Sequence, residues 1–286
     1  MSRTLLVRIG TAALVAVGAW VAYTQNQQPP APLAISKIGG DLYVIAVSQG
    51  VGGGNVAVYP TEEGVILVDD MFDRNHYEIL SLVKTLTDKP IRYVLNTHQH
   101  DDHAGGNALM LPFAQVIAHQ NVRANMVRLN QPGLPRLTFS DEMEVNLGGK
   151  EVRARHYGRG HTGGDAVMYF PAERAVHTGD LFLTYPPAPF IDYANGGSAL
   201  EWTATLDEVL QLDFDVAIPG HGPVSNKEGV RKFRNDFEAM RTRIRGLVRG
   251  GKGKDEVVKT LVEEYHWAAQ GLALQQVDAF IAELKQ

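Results

Sequence analysis

The feature that most constrains this chain is a recurrence of short apolar runs. "LYVIAV" (42–47), "NVAVYP" (55–60), "GVILVDD" (64–70) and "IRYVLNT" (91–97) are rich in β-branched and aromatic residues, with Gly-rich stretches among them. Runs of this length and composition read as strands. Between the third and fourth, "DRNHYEILSLVKTL" places Ile79, Leu82, Val83 and Leu86 at helical spacing, with Asp73 as the expected N-cap. The alternation then repeats loosely. "AQVIAH" reads as a strand and "NVRANMVRL" as a helix, and "EVRARHY", "AVMYF" and "RAVHTGD" as three more strands. "SALEWTATLDEVLQL" is a helix capped by Ser198, and "FDVAIPGHG" is a strand ending in a loop. Strands followed by helices, twice over, predict an α/β protein with two sheets packed together and helices outside.

The two ends of the chain differ from this middle. Arg3 and Arg8 precede an apolar stretch from Ile9 to Tyr23 that contains no acid, the pattern of a secretory signal. The stretch is short for a membrane span, which needs about 20 apolar residues. Residues 1–23 are therefore expected to be a signal peptide, or else an uncleaved N-terminal membrane anchor. Either way the protein is exported, to the periplasm or beyond, or held at the membrane. Residues 24–37, opening "TQNQQPPAP", read as a linker, and 38–225 as the main domain. From residue 226 to 286 the chain reads as a helical extension packed on that domain. Its first helix carries an apolar stripe of Val230, Phe233, Phe237, Met240, Ile244, Leu247 and Val248. Arg231, Arg234, Arg241 and Arg245 lie on the opposite face, which is expected to be solvated.

The net charge of −5 argues against a nucleic-acid partner. There is no cysteine, so disulfides and thiolate ligands are excluded, and any metal must be held by His, Asp or Glu. A suitable group stands in "NTHQHDDHAGGN" (96–107), directly after a strand. In extended backbone His98 and His100 point to one side and can grip one ion. Asp102 and His103 follow as the chain bends, and so point elsewhere. That arrangement suits two ions side by side, about 3.5–4 Å apart. His161, Asp180 and His221 sit at later strand ends beside glycines and complete the set. His76, His119, His156, His177 and His266 have no motif around them; His76 and His266 are expected at the surface.

His-x-His-x-Asp-His, then Gly-His-Thr, Thr-Gly-Asp and Pro-Gly-His-Gly, in that order and spacing, resemble the metallo-β-lactamase superfamily over roughly residues 38–225. The resemblance implies an αββα four-layer sandwich with the site at one edge of the paired sheets. It implies that His98, His100 and His161 bind a first metal, that Asp102, His103 and His221 bind a second, and that Asp180 bridges both. Zinc is the ion expected, two per chain, with manganese or iron as alternatives. Asp69, at the end of "VILVDD", is expected to orient the histidine loop from outside the ligand shell, and Asp101 to be solvated.

The implied reaction is hydrolysis of an ester, lactone, thioester or amide of a small-molecule substrate by hydroxide formed on the metals. Asp102 would orient the nucleophile and return its proton to the leaving group. The bridging acid makes the ligand set similar to that of glyoxalase II and lactonases. The runner-up is β-lactam hydrolysis; outside hydrolysis the rival is a mononuclear-iron persulfide dioxygenase. The expected substrate lips are "GVGGGN" (50–55), read as a flexible flap, and "TYPPAPFIDYANGG" (184–197). The second offers Tyr185, Phe190 and Tyr193 as substrate contacts.

Overall fold

The computed structural model describes residues 32–48, 52–185, 188–268 and 272–286. The proposed signal or anchor (1–23) lies outside the described residues. Among the described residues no helix is long and apolar enough to cross a membrane.

The first sheet has seven strands in sequence order: β1 (Leu33–Gly39), β2 (Leu42–Val47), β3 (Val56–Pro60), β4 (Val65–Val68), β5 (Ile91–Asn96), β6 (Gln115–His119) and β7 (Leu137–Phe139). β1 to β4 pair antiparallel, and β4 to β7 pair parallel. Three helical segments fill the parallel crossovers. They are α1 (His76–Lys84), the short pair α2 (Asp101–Ala104) and α3 (Asn107–Met110), and α4 (Gln120–Leu129). The second sheet runs β13-β12-β11-β10-β9-β8, from β8 (Glu142–Leu147), β9 (Lys150–Arg155), β10 (Val167–Phe170), β11 (Ala175–His177), β12 (Val216–Ile218) and β13 (Ser225–Asn226). Helix α5 (Ala199–Val209) precedes β12. The chain ends in α6 (Lys227–Arg249), α7 (Lys254–Glu263), α8 (Leu272–Gln275) and α9 (Val277–Leu284).

The period-two alternation of strand side chains makes the layers. Ile66 and Val68 of β4 face the other sheet, while Val65 and Leu67 pack outward with Ile79 and Val83 of α1. Both faces are buried, which is why β4 reads "VILV" without a polar residue. Across the seam Tyr59 meets Phe170 edge to face at 5.3 Å between ring centroids. The outer face of the second sheet (Val167, Val176, Ala217) packs on Trp202 and Leu206 of α5 and on Phe237, Met240 and Ile244 of α6. The layers are therefore helix, sheet, sheet, helix, the αββα sandwich.

Four expectations need correction. The stretch 24–37 is not linker throughout, because Leu33–Gly39 pairs with β2. As an edge strand with a mostly exposed face, "LAISKIG" carries too few apolar residues to announce itself. Asp73 does not cap α1; it opens a 3₁₀ turn, Asp73–Asn75, and the helix starts at His76. His76 is buried rather than at the surface, its ring against Tyr77 and Phe113. Nor is the arginine face of α6 uniformly solvated. Arg241 is buried, donating to the carbonyls of Ala199 (2.9 Å) and Leu200 (2.6 Å) and pairing with Glu238. The aliphatic stems and fixed fork of Arg let it span a helix–helix seam in this way. α6 is accordingly part of the main core, continuous with the second sheet.

Candidate metal centre

The site lies at one edge of the paired sheets, where β5, β11 and β12 deliver their C-terminal loops. β5 ends at Asn96, His98 follows in a bend and His100 in extended backbone, and the single turn of α2 then carries Asp102 and His103. His161 stands in the loop between β9 and β10. Asp165 shapes that loop by accepting from Thr162 N at 2.9 Å and Thr162 Oγ1 at 2.6 Å. Asp180 lies in a single 3₁₀ turn after β11, and His221 follows β12. The fold brings all seven residues together. Their donor atoms form three overlapping groups, each within 4.8 Å: His98, His100 and His161; His98, His103 and Asp180; and Asp102, His103 and His221.

Hydrogen bonds on the far side of each ring decide where its lone pair points. His161 Nδ1 faces the Phe190 carbonyl at 2.6 Å, so it donates, and Nε2 is left as an acceptor. His100 Nε2 faces Asp192 Oδ2 at 2.8 Å, so Nδ1 is left as an acceptor. These two nitrogens stand 2.9 Å apart, and His98 Nε2 lies 3.2 Å from His100 Nδ1. Two lone pairs aimed at one point repel each other and make no hydrogen bond, but they fit a cation. In the other half, His103 Nδ1 faces Asp69 Oδ2 at 2.9 Å, and its Nε2 is turned to Asp180 Oδ1 (3.2 Å) and His221 Nε2 (3.2 Å). Asp180 Oδ1 is buried without a hydrogen-bond partner, while Oδ2 reaches toward His161 Nε2 at 3.6 Å. The donor set is thus three imidazoles, then two imidazoles and a carboxylate, with one carboxylate between them. It fits metal ions that favour nitrogen and oxygen ligands.

Electrostatics divide the two halves. Burial, with the neighbouring imidazoles, holds His98 well below the usual range, and burial first brings His161 down to about 4. Burial would do the same to His103, but Asp180 and Asp102 outweigh it and hold that ring well above its ordinary value. His221 is raised likewise, to about 9. Against the burial that would raise them, the same pairs lower Asp102 to about 2 and hold Asp180 well below the carboxylate range. Positive charge is favoured in this half whether protons or metal ions supply it.

Asp69 sits where the sequence places an orienting acid. Besides His103, it accepts from Thr97 N (2.7 Å) and Thr97 Oγ1 (2.8 Å), and its own backbone is left-handed at φ 64°. Asp is one of the few non-glycine residues that visit that region readily. Asp70 is buried beside it and accepts from Gly106 N. Asp101 is exposed and takes a hydrogen bond from Gln131. His177 donates to the Asn55 carbonyl at 2.9 Å and touches no ligand ring.

The first lip is corrected. Residues 50 and 51 lie outside the described residues, but Gly54 and Asn55 are pinned and are no flap. Gly54 N donates to the Asp102 carbonyl at 2.8 Å, and Asn55 Nδ2 donates to the carbonyls of Pro219 and Gly222. Only glycine fits at 54, since a Cβ there would lie 2.2 Å from the His103 ring. In the second lip Tyr185 is half exposed at the rim, and the Phe190 ring packs beside His100 and His161 at 6.2 and 5.9 Å. Tyr193 is turned away from the centre, donating to Glu283 Oε2 at 2.8 Å within the helical layer.

Asp192, Gly54 and Asn55 are the supporting residues that sequence reasoning missed. Asp192 signals only a turn, through its acceptance of Asn195 N. Nothing in the sequence ties it to His100, 92 positions away.

Comparison with known proteins agrees with this geometry. The family model for the metallo-beta-lactamase superfamily matches residues 49–221. The chain is 31% identical over 154 residues to the 2,4-dinitroanisole O-demethylase subunit alpha of Nocardioides sp. (strain JS1661); the match spans 52% of this chain and 45% of that protein. It is 26% identical over 179 residues to the type 2 metallo-beta-lactamase of Bacillus cereus, spanning 60% of this chain and 68% of that one. Among solved structures, a metallo-beta-lactamase from Pontibacter korlensis superposes with a TM-score of 0.65 at 21% identity, covering 72% of this chain and 99% of its own. With the sandwich, the edge site and the ordered His and Asp residues in place, the chain belongs to the metallo-beta-lactamase superfamily, whose members are metal-dependent hydrolases.

Proposed function

We propose that this protein is an exported, dinuclear zinc hydrolase acting on a carbonyl of a small ester, lactone, thioester or amide. The observation that carries the reading is the position of Asp180. One oxygen faces His103 and His221 at 3.2 and 3.5 Å, and the other faces His161 at 3.6 Å. A single carboxylate can thus serve both halves of the donor set. When bound, the two ions polarise the carbonyl and make water nucleophilic near neutral pH. The chain's own residues do the rest. Asp102 is partly exposed at the mouth, its Oδ2 3.2 Å from His221 Nε2. There it orients the attacking water, takes its proton at a carboxylate oxygen and passes it to the leaving group. Phe190 forms an apolar wall beside His100 and His161, and Tyr185 contacts substrate at the rim. Export, periplasmic or secreted, is supported by Arg3, Arg8 and the apolar stretch after them; a retained N-terminal segment would instead anchor the protein to the membrane.

The zinc-loaded full chain, tested against esters, lactones, thioesters, amides, β-lactams and 2,4-dinitroanisole, decides the reading. Two zincs per chain and turnover of an acyl substrate, lost in Asp102→Ala, support it. One iron per chain, or full activity of Asp102→Ala, overturns it. β-Lactam hydrolysis is the second reading, supported by the likeness to the Bacillus cereus enzyme, and turnover confined to β-lactams would select it.

A further inference from the structure

The C-terminal helices do more than cover the second sheet. The segment from Pro189 to Ser198 straps across the three-imidazole half of the centre. Its Phe190 carbonyl accepts from His161 Nδ1, its Asp192 carboxylate accepts from His100 Nε2, and Asp192 N donates to the His161 carbonyl at 2.8 Å. The strap has little regular structure of its own, only the 3₁₀ turn Tyr193–Asn195. Something outside it must fix its position.

Two residues of the C-terminal segment do so. Gln276, buried at the start of α9, accepts from Ile191 N at 2.5 Å through Oε1 and donates to the Pro189 carbonyl at 3.1 Å through Nε2. Its carboxamide pairs with the backbone on both sides of Phe190 as a neighbouring strand would. Glu283, on the same helix, accepts from Ser198 Oγ at 2.6 Å, Ala199 N at 3.0 Å and Tyr193 Oη at 2.8 Å. It holds the far end of the strap to the first turn of α5.

We infer that Gln276 is a positioning residue for the metal centre, setting the Phe190 carbonyl so that His161 presents Nε2 to the ion. This rests on the reading of His98, His100 and His161 as metal ligands. The physical argument concerns the tautomer. The Phe190 carbonyl, held against Nδ1, commits the proton to that nitrogen and leaves Nε2 free. Without the Gln276 carboxamide, Ile191 N and the Pro189 carbonyl lose their buried partner, and the strap relaxes toward other ones.

The test measures zinc affinity of the full-length protein by chelator competition, with thermal unfolding of the zinc-free form in parallel. Gln276→Ala is expected to bind the zinc of the three-imidazole half, which His161 helps hold, about 10- to 100-fold less tightly, the range for loss of a group that orients a ligand. Gln276→Glu keeps the acceptor for Ile191 N but replaces the donor with a carboxylate oxygen facing the Pro189 carbonyl, so its affinity should fall between those of Gln276→Ala and the unaltered chain. Leu284→Ala is the control. Leu284 is buried in the helical core on the same helix, so its loss lowers stability and should leave zinc affinity alone. Equal zinc affinity in Gln276→Ala and the unaltered chain overturns the inference. So does a Leu284→Ala variant that loses affinity in proportion to its stability. Should Gln276→Ala not fold, Gln276→Glu carries the test, and unchanged affinity there overturns it as well. An unaltered chain that binds no zinc overturns the metal-centre reading and this inference together.

Discussion

Two groups of histidines, buried or half-buried, occupy the same pair of sheets and do opposite things. In one, His98, His100 and His161 aim lone pairs at one point, and His103 and His221 face each other beside the Asp180 and Asp102 carboxylates. In the other, His119 at the end of β6 stacks on His156 at 4.2 Å and 14° between planes. There His119 Nε2 donates to the Ser140 carbonyl and Nδ1 accepts from Asn121 N, while His156 Nδ1 donates to the Asp165 carbonyl. The stacked pair is satisfied by the protein alone, and the cluster is not. Burial of imidazoles therefore does not mark a metal centre; convergence of ring nitrogens and carboxylate oxygens on one point does.

Removing the shared acid should break the contrast most sharply. Asp180→Ala leaves two separate donor sets and should lower kcat/KM by roughly 10³-fold, the several kcal/mol that charge stabilisation by the ions supplies. Metal counting alongside the kinetics checks it, and a variant keeping both ions and full activity would refute the bridging role. Asp69→Asn comes next. Asn tolerates the left-handed backbone at 69 but gives up the anionic acceptor for His103 and Thr97. Zinc affinity should fall by several tens of fold, and zinc content unchanged after dialysis would count against it.

The stacked pair predicts a pH effect of a different kind. Burial first, then the neighbouring His156, lowers His119 from 6.5 to about 4. The unfolded chain then binds more protons in that window, so the contribution is complete above pH 6.5 and is lost as pH falls toward 4. The stability advantage of the unaltered chain over His119→Phe should shrink by roughly 2 kcal/mol between about pH 7.5 and about pH 4.5. Denaturant unfolding at both pH values measures it, and a constant gap would show that His119 does not stay neutral. Smallest is Asp192→Ala. His100 is partly exposed, so water can replace the lost acceptor, and zinc affinity should fall only about tenfold. A loss matching that of Asp69→Asn would erase the distinction between the open and closed sides of the centre.

These differences also mark what could be read in the sequence. Four of the ligand candidates fall in one stretch, His98 to His103, after a strand whose apolar run is unmistakable, and Asp69 ends another such strand. Local pattern is enough there. The paired sheets follow from strands and helices alternating twice over, and the four-layer sandwich from the family that the four motifs resemble. Asp192, Asn55 and Gln276 act on partners 92, 164 and 85 positions away. No periodicity encodes such pairings. Gly54 looked like a mobile loop glycine because its composition is that of a flap, while its reason for being glycine is the His103 ring against it. Arg241 and His76 were misplaced for a related cause. Polarity predicts exposure until a carbonyl or an aromatic ring at the right distance accepts the side chain indoors.

The spacing of the ligands has a consequence for how the protein is made. His103 and His221 are 118 positions apart, so at about 5–20 residues per second of synthesis the first stretch emerges some 6–24 s before its counterpart. In that interval His98, His100, Asp102 and His103 form a half-built chelator with no Asp180 or His221 to close it. A cytosolic ion captured then would travel with the nascent chain. Secretion in an unfolded state, as the proposed signal at residues 1–23 implies, would postpone assembly until both halves meet outside the cytosol, so that the metal pool there, more than the preference of the ligands, would select the ion.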